Sequence, residues 1–392
     1  MAEEPPILQD EGKLLDELPN EQDIDPERQS PKRKKPKGKS KKNFADFSKL
    51  ITERKDKGPI AIFTHKCPDP DAIASMMGMG WLLKKAFDLD STMFYDGEVS
   101  HPQNGSMVNL LGPDLEKVEK YNSEDFSTNI LVDTVPSYAG VGQSDVRNNF
   151  DIVIDHHKDR PSDYHGILIH RKAGSCAAII FDMMKELVPE DMWLDDEVDA
   201  DAKLATALIA GIMTDTHFML ADDCTELERH AFNELFEYRN TNYLNQIVFF
   251  KRRKFWVDRK ASAISEAEID GEGYAVVGLG LIPEKERDLI ADMADEMVSW
   301  ASVETAVAYA VVGGDRIEGS IRSLNATLSV TDFCKKLGGK HGSGGGKHGK
   351  GAYQLPLAGF SIDDDEDEQD AQEAWISIKK REAKRINRVI NK

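Results

Sequence analysis

The sequence predicts an α/β fold: a mostly parallel sheet with flanking helices, then a smaller α+β domain, forming two lobes around a cleft. Three observations carry this reading. Apolar strand-like runs alternate with helical stretches through the first half of the chain, the signature of a parallel sheet with crossover helices. Acids and histidines gather where those runs end, and ligands of such sheets bind beyond the carboxyl ends of the strands. A second set of strand and helix patterns closes in a glycine-rich stretch, "LGGKHGSGGGKHGKGA", residues 337–352.

Order is expected from Phe44. "GPIAIFTHKCPDPDAIASMMGMGWLLKKAF" reads as a buried strand, a polar loop and a helix. "DSTMFYDG", "NILVDTV" and "FDIVIDHH" read as three more strands. "SCAAIIFDMMKELV" and "DAKLATALIAGIMTD" are apolar, Ala-rich helices. Charged helical sequence from about Cys224 to Lys260 connects the lobes. Beyond it come a strand "YAVVGLGL", a helix through "RDLIADMADEMVSW", then "TAVAYAVVGG", "RIEGSIRS", a short helix "VTDFCKKL" and the Gly-rich loop. The expected boundaries are a disordered charged tail (1–43), a first α/β domain (44–225), a helical connector (226–262), a smaller α+β domain (263–360), and an acidic linker with a basic C-terminal helix (361–392).

The 392 residues are ample for a sizeable core. Hydrophobic residues make up 40% and charged residues 31%, a soluble and highly charged composition. No apolar run approaches the ~20 residues of a membrane span, and the acidic start "MAEEPPILQDEGKLL" is not read as a secretory signal. The four cysteines, Cys67, Cys176, Cys224 and Cys334, lie far apart, which argues against a disulfide framework or structural zinc and for a reducing, cytoplasmic location. The formal net charge is −20, yet "PKRKKPKGKSKK" (31–42) is a solid basic block, and "DDDEDEQD" precedes a basic C-terminus. Such blocks are solvated tails first; a disordered cationic arm also supplies phosphate contacts.

The chemistry-bearing residues are His65, Asp69 and Asp71 in "THKCPDPDAIAS", Asp133 in "LVDT", Asp155, His156 and His157 in "IDHH", and Asp215 in "GIMTDTHF". Singly, each reads as a cap or turn residue. Together, imidazole and carboxylate groups at successive element ends suit divalent transition metals. They are too many for one ion and suit two ions about 3.5–4 Å apart with a bridging carboxylate.

These motifs resemble the DHH phosphoesterase superfamily, whose name is the triplet Asp155–His156–His157. "HKCPDPDAIAS" matches its first motif, "LVDT" and "GIMTDT" its second and fourth. The resemblance spans roughly residues 58–360 and implies a metal-dependent phosphoesterase. It implies that His65, Asp69 and Asp133 hold one ion, and that Asp71, Asp133, His156 and Asp215 hold the other. Asp133 would bridge, His157 would face the substrate phosphate, and Asp155 would orient the histidines. The implied cofactor is two manganese ions, with magnesium or cobalt as substitutes. "GGKHGSGGG" resembles the Gly-rich loop of the DHH-associated domain, with His341 as the binding histidine. Gly344, Gly345, Lys347, His348 and Arg322 would then contact substrate, as would His101 and Asn104 of "SHPQN". Lys340 stands where the family has glycine, Gly344 and Gly345 where it has alanines, and His217 where a small residue is usual.

The nanoRNase and pAp-phosphatase branch is the best fit, so the expected substrates are short oligonucleotides or nucleotides such as pAp. A cyclic dinucleotide phosphodiesterase is the nearest enzymatic alternative, and a pyrophosphatase a weaker one. Two other classes remain at this level. One is a catalytically silent nucleic-acid-binding module. The other is a partner-recruiting scaffold resting on the charged tails and on Trp375, Ile386 and Ile390. Longer nucleic acid held by the Lys/Arg-rich tail is a further expected partner, and a homodimer is left open.

Overall fold

A computed structural model of the chain describes residues 40–137, 139, 149–157, 164–347, 349–357 and 368–390. Most of the basic block 31–42 and most of the acidic run 363–370 lie outside them. The packing below belongs to one compact unit, Lys42–Lys392. No helix among the described residues is long and apolar enough to cross a membrane.

Helix α1 (Ser40–Arg54) opens the first lobe and buries Phe44, Phe47 and Ile51. Six strands follow: β1 (Ile60–Phe63), β2 (Ser91–Tyr95), β3 (Leu115–Lys117), β4 (Thr128–Val132), β5 (Ile152–Asp155) and β6 (Ile167–His170). They form one sheet in the order β3-β2-β1-β4-β5-β6, with every neighbouring pair parallel. Its helices are α2 (Pro70–Phe87), α3 (Pro102–Leu111), α4 (Cys176–Leu187) and α5 (Asp199–Asp215). Successive strand residues face opposite sides. Ile60, Ile62, Ile130, Val132, Ile152 and Ile154 therefore meet the buried faces of α2, α4 and α5. Ala61, Phe63, Leu131 and Val153 pack on the other side with Phe94, Tyr121 and Phe150. Burial on both sides explains why these strands read as unbroken apolar runs. The winding reverses between β1 and β4, and in an open parallel sheet a crevice forms at the C-terminal strand ends there.

Two glycines set the helix spacing on this sheet. A Cβ at Gly78 of α2 would lie 2.7 Å from Ile180 Cγ2 of α4. A Cβ at Gly211 of α5 would lie 3.0 Å from the Cα of Asp71. Helix α5 thus rests backbone-to-backbone on the first turn of α2. α3 is a regular helix where the sequence reading assigned no element. β3 and β6 also went unread, because strands of three and four residues carry almost no periodicity.

The predicted connector divides its loyalty. Helices α6 (Glu226–Leu235) and α7 (Thr241–Val248) bury Ala231, Leu235, Leu244 and Ile247 in the first core. Helix α8 (Lys254–Ile264) gives Trp256 and Ala263 to the second. Between them the lobes are joined by polar bonds. Arg253 donates to the Ser100 carbonyl and, at 2.7 Å, to Glu286, which also accepts the Trp256 indole N–H at 2.6 Å.

The second lobe contains β7 (Glu268–Ile269), β8 (Tyr274–Ile282), α9 (Leu289–Met297), β9 (Thr305–Val312), β10 (Arg316–Ser323), α10 (Val330–Gly338), β11 (Ser343–Lys347), β12 (Lys350–Pro356) and α11 (Glu368–Ile390). The sheet order is β11-β12-β10-β9-β8-β7, with only β8 and β9 parallel. Strand β9 shows its two faces by alternation. Ala306, Ala308, Ala310 and Val312 belong to the core under α8 and α9, and Val307, Tyr309 and Val311 to the core under α10 and α11.

Two sequence expectations need correcting here. The Gly-rich loop is largely a strand: Ser343–Lys347 pairs antiparallel with Lys350–Pro356. Glycine is what lets that strand lie against α10, since a Cβ at Gly344 would sit 2.1 Å from the Cys334 carbonyl oxygen. The C-terminal helix is also no loose appendage. Trp375, Ile378 and Ile386 are buried on the second sheet, and Tyr353 donates to Glu382 at 2.7 Å. Trp375 and Ile386 are therefore core residues, which removes them as anchors for a recruited partner.

Candidate metal centre

The strand ends and helix ends of the first lobe converge at the reversal point. His65 follows β1 by two residues, Asp133 follows β4, and β5 ends in Asp155 with His156 and His157 next. Asp69 caps α2, accepting the Ala72 N–H at 3.0 Å, and Asp71 lies in its first turn. Asp215 is the last residue of α5, delivered to Asp71 by the close α2–α5 contact.

Asp133 stands at the centre. Its Oδ2 is 3.6 Å from His65 Nε2, and its Oδ1 is 3.4 Å from His156 Nε2. His65 Nε2 is also 3.8 Å from Asp69 Oδ1. His156 Nε2 is 3.2 Å from Asp215 Oδ2 and 3.9 Å from Asp71 Oδ2. Ligand atoms of His65, Asp69 and Asp133 lie within 4.8 Å of one another, as do those of Asp71, His156 and Asp215 and those of Asp133, His156 and His157. The two sets expected from sequence are thus adjacent, with Asp133 reaching both.

The rings are aimed by the backbone. His156 Nδ1 is 3.1 Å from the Ala173 carbonyl, which turns Nε2 toward the acids. His65 Nδ1 is 3.0 Å from the Lys66 carbonyl, with the same effect. Asp155, fully buried, lies 2.8 Å from His157 Nδ1 and leaves the other ring nitrogen of this partly exposed residue for a ligand. Both oxygens of Asp71 accept backbone N–H groups at the start of α4, from Cys176 at 2.6 Å and Ala177 at 2.8 Å. That fixes the carboxylate while sparing lone pairs for a cation. Asp133 has φ +58°, a left-handed backbone that costs energy in an L residue and is typical of a functional constraint.

Electrostatics follow from crowding. Burial opposes a charge on His156, but Asp133 and Asp215 outweigh it and push its pKa up to about 12. His65 is likewise raised well above its ordinary value, burial being overcome by Asp133 and Asp69. Burial also disfavours the Asp133 anion, yet His156 and His65 hold its pKa far below the usual carboxylate range. Asp71 is raised well above that range by burial and by the neighbouring charges of Asp133 and Asp215. Asp133 Oδ1 and His156 Nε2 are buried without hydrogen-bond partners. Orphaned donor atoms of hard and borderline type, facing one another among four acids, fit divalent cations.

Sequence reasoning missed several supports. His170, at the end of β6 and in register with Asp155, bonds the His157 carbonyl and lies 3.9 Å from Asp155. The strand pairing, absent from any motif, was the signal. Asn104 is buried and donates to the Pro68 carbonyl at 3.0 Å, holding the first motif's loop. His101 accepts from Gln103 N–H as the α3 cap and packs against Phe250 and Trp256 at 5.0 and 5.5 Å. Those placements support positioning roles for both residues in place of the expected substrate contacts.

The second lobe's residues are less convergent. Arg322 is clasped by Asp295 through Nε at 2.5 Å and Nη2 at 3.0 Å, so a phosphate would have to displace a carboxylate. His341 is exposed in the turn after α10. Gly344 is packed, whereas a Cβ at Gly345 would meet open space. Lys347 ends β11, and His348 lies outside the described residues. A further contact between the lobes is one the motifs did not assign: Lys350 of β12 bonds His217 Nε2, two residues beyond Asp215.

Comparison with known proteins agrees with this architecture. Residues 59–212 match the family model "DHH family, N-terminal domain". An uncharacterised protein of Methanocaldococcus jannaschii is 28% identical over 317 residues, covering 81% of this chain; the chain spans only 62% of that protein's length. A probable manganese-dependent inorganic pyrophosphatase of Streptococcus equi subsp. equi is 24% identical over 287 residues, covering 70% of this chain and 80% of its own. Among solved structures, an exopolyphosphatase-related protein from Bacteroides fragilis shares the fold, with TM-score 0.62 and 16% identity over 89% of this chain and 98% of its own. The part of the first lobe that carries the Asp155–His156–His157 triplet, at the C-terminal end of β5, is thus similar to the N-terminal domain of the DHH family.

Proposed function

We propose that the chain is a phosphoesterase dependent on two manganese ions, acting on short oligonucleotides or on nucleotides such as pAp. The observation that carries this is Asp133: one buried carboxylate with an oxygen toward each histidine, 3.4 and 3.6 Å away, between two ligand sets. His65, Asp69 and Asp133 would hold one ion, and Asp71, Asp133, His156 and Asp215 the other. Bound ions of this kind neutralise phosphate charge and lower the pKa of water. The chain's own residues do the positioning. Asp155 fixes the His157 ring for a phosphate contact, and His170 braces both from the next strand. Lys350 and His217 place cationic and donor groups across the lobe junction near Asp215, where an anionic substrate would be held.

Similarity to probable manganese-dependent inorganic pyrophosphatases favours a second reading, hydrolysis of pyrophosphate itself. One panel separates them: purified protein with manganese against pAp, dinucleotides, cyclic di-AMP, short RNA and pyrophosphate. Turnover of pAp or dinucleotides well above pyrophosphate supports the nucleotide reading. The reverse order supports the second, and manganese-independent binding of RNA without turnover of any compound would leave a silent binding module.

A further inference from the structure

Helix α11 has two unlike sides. Trp375, Ile378, Glu382 and Ile386 face the second sheet and are buried. Opposite them, Lys380, Lys384 and Arg388 stand at i, i+4 and i+8, about 6 Å apart along the axis, with Arg381 beside them. All four are exposed, and none has an ion-pair partner among the described residues. Lys380, Lys384 and Arg388, with Lys379, Ile376 and Ala383, line a shallow groove of about 700 Å³ whose one acidic lining residue is Glu268 of β7. In a chain of net charge −20 this is a concentrated exception. The helix dipole accounts for a cation in the last turn, such as Arg388, but not for cations over three turns. Like charges at i, i+4 repel, so the stripe weakens the helix unless an anion lies along it.

We propose that the outward face of α11 is a docking surface for the phosphate backbone of single-stranded nucleic acid. Charge complementarity and shape select this occupant. A straight row of evenly spaced cations on a shallow groove tracks a repeating polyanion. An acidic protein partner would be expected to need a central anchoring pocket, which this face does not offer. An anionic membrane is disfavoured because the helix's apolar side is already buried in the domain and cannot insert.

The test uses the full chain in the presence of a chelator, so that binding is read without cleavage. Anisotropy of a labelled single-stranded RNA of about 20 nucleotides is followed between about 50 and 200 mM salt. The triple variant Lys380→Ser, Lys384→Ser, Arg388→Ser should lose about tenfold or more in affinity at the low-salt end. Its plot of log K against log salt should be shallower by about 2, three charges at about 0.7 each. A Lys380→Arg, Lys384→Arg variant should bind like wild type, which separates lost charge from lost structure. An unchanged slope in the triple variant overturns the proposal. So does equal displacement of the RNA by poly-glutamate of similar length, or capture of wild type but not the variant by phosphatidylserine vesicles. Dinucleotide hydrolysis with manganese should be the same in both proteins, so failure here is distinct from failure of the hydrolytic reading.

Discussion

Replacing Asp133 with Asn tests the centre at its weakest point. Asn tolerates the left-handed backbone at φ +58° that Ala would strain, and it keeps the side-chain shape. Only the charge is lost. Asp133 lies 3.4 Å from His156 Nε2 and 3.6 Å from His65 Nε2, so it serves both ligand sets. Two unit charges about 4 Å apart interact by about 4 kcal/mol at an effective dielectric of ~20. Losing even one such interaction at the reacting phosphate corresponds to about a thousandfold in turnover. Without metal the variant loses the buried pairing of Asp133 with His65 and His156 and should be destabilised, a loss offset only in part by relief of the repulsion that raises the Asp71 pKa. Thermal unfolding with a chelator should therefore fall below wild type, and the extra stability manganese lends by binding the folded state should shrink as well. Hydrolysis of the preferred panel substrate is measured alongside. Turnover within tenfold of wild type, with the manganese stabilisation intact, would falsify the bridging role.

Four further outcomes follow from the packing. Gly344→Ala should cost about 1–3 kcal/mol in chemical denaturation because its Cβ meets the Cys334 carbonyl, while Gly345→Ala at an open site should cost under about 0.5 kcal/mol; equal effects would remove the strand assignment. Ile386→Ala, at a fully buried position, should lower stability by about 2–5 kcal/mol, and a silent substitution would mean α11 is not docked. The Asp292 carboxyl is held below its ordinary pKa: burial opposes the anion, but Lys260 and Arg252 outweigh it. Its stabilisation is thus present above the unfolded carboxylate pKa and lost as pH falls through the folded one, so Asp292→Asn should lower stability at neutral pH and flatten the acid limb of the stability curve. Deleting residues 1–42, with eight Lys or Arg between Pro31 and Lys42, should leave dinucleotide cleavage almost unchanged and reduce affinity for long RNA at low salt; identical salt slopes for both lengths of chain would exclude tethering by that arm.

The sequence alone determined the α/β class and which acids and histidines stand at the element ends. Strands buried on both faces must be apolar throughout, and acids at their ends are conspicuous because burial of unpaired charge is so costly. Local signals of that kind survive in one dimension. The tertiary structure alone decided how those residues meet. Gly211 reads as one more small residue in an Ala-rich helix, yet its missing side chain seats α5 on α2 and brings Asp215 to Asp71. His156 is aimed by a carbonyl seventeen residues on, and His157 is braced through a strand pairing with β6. Arg322 looked like a free phosphate grip and is instead clasped by Asp295, twenty-seven residues away. The glycines after α10 looked like a loop, because close approach of a backbone cannot be told from flexibility in composition. The C-terminal helix looked polar enough to stand free, since only a narrow stripe, from Trp375 to Ile386, faces the sheet. In each case the deciding contact joins residues far apart in the chain, and one-dimensional periodicity records which face of an element is apolar but not what that face will meet.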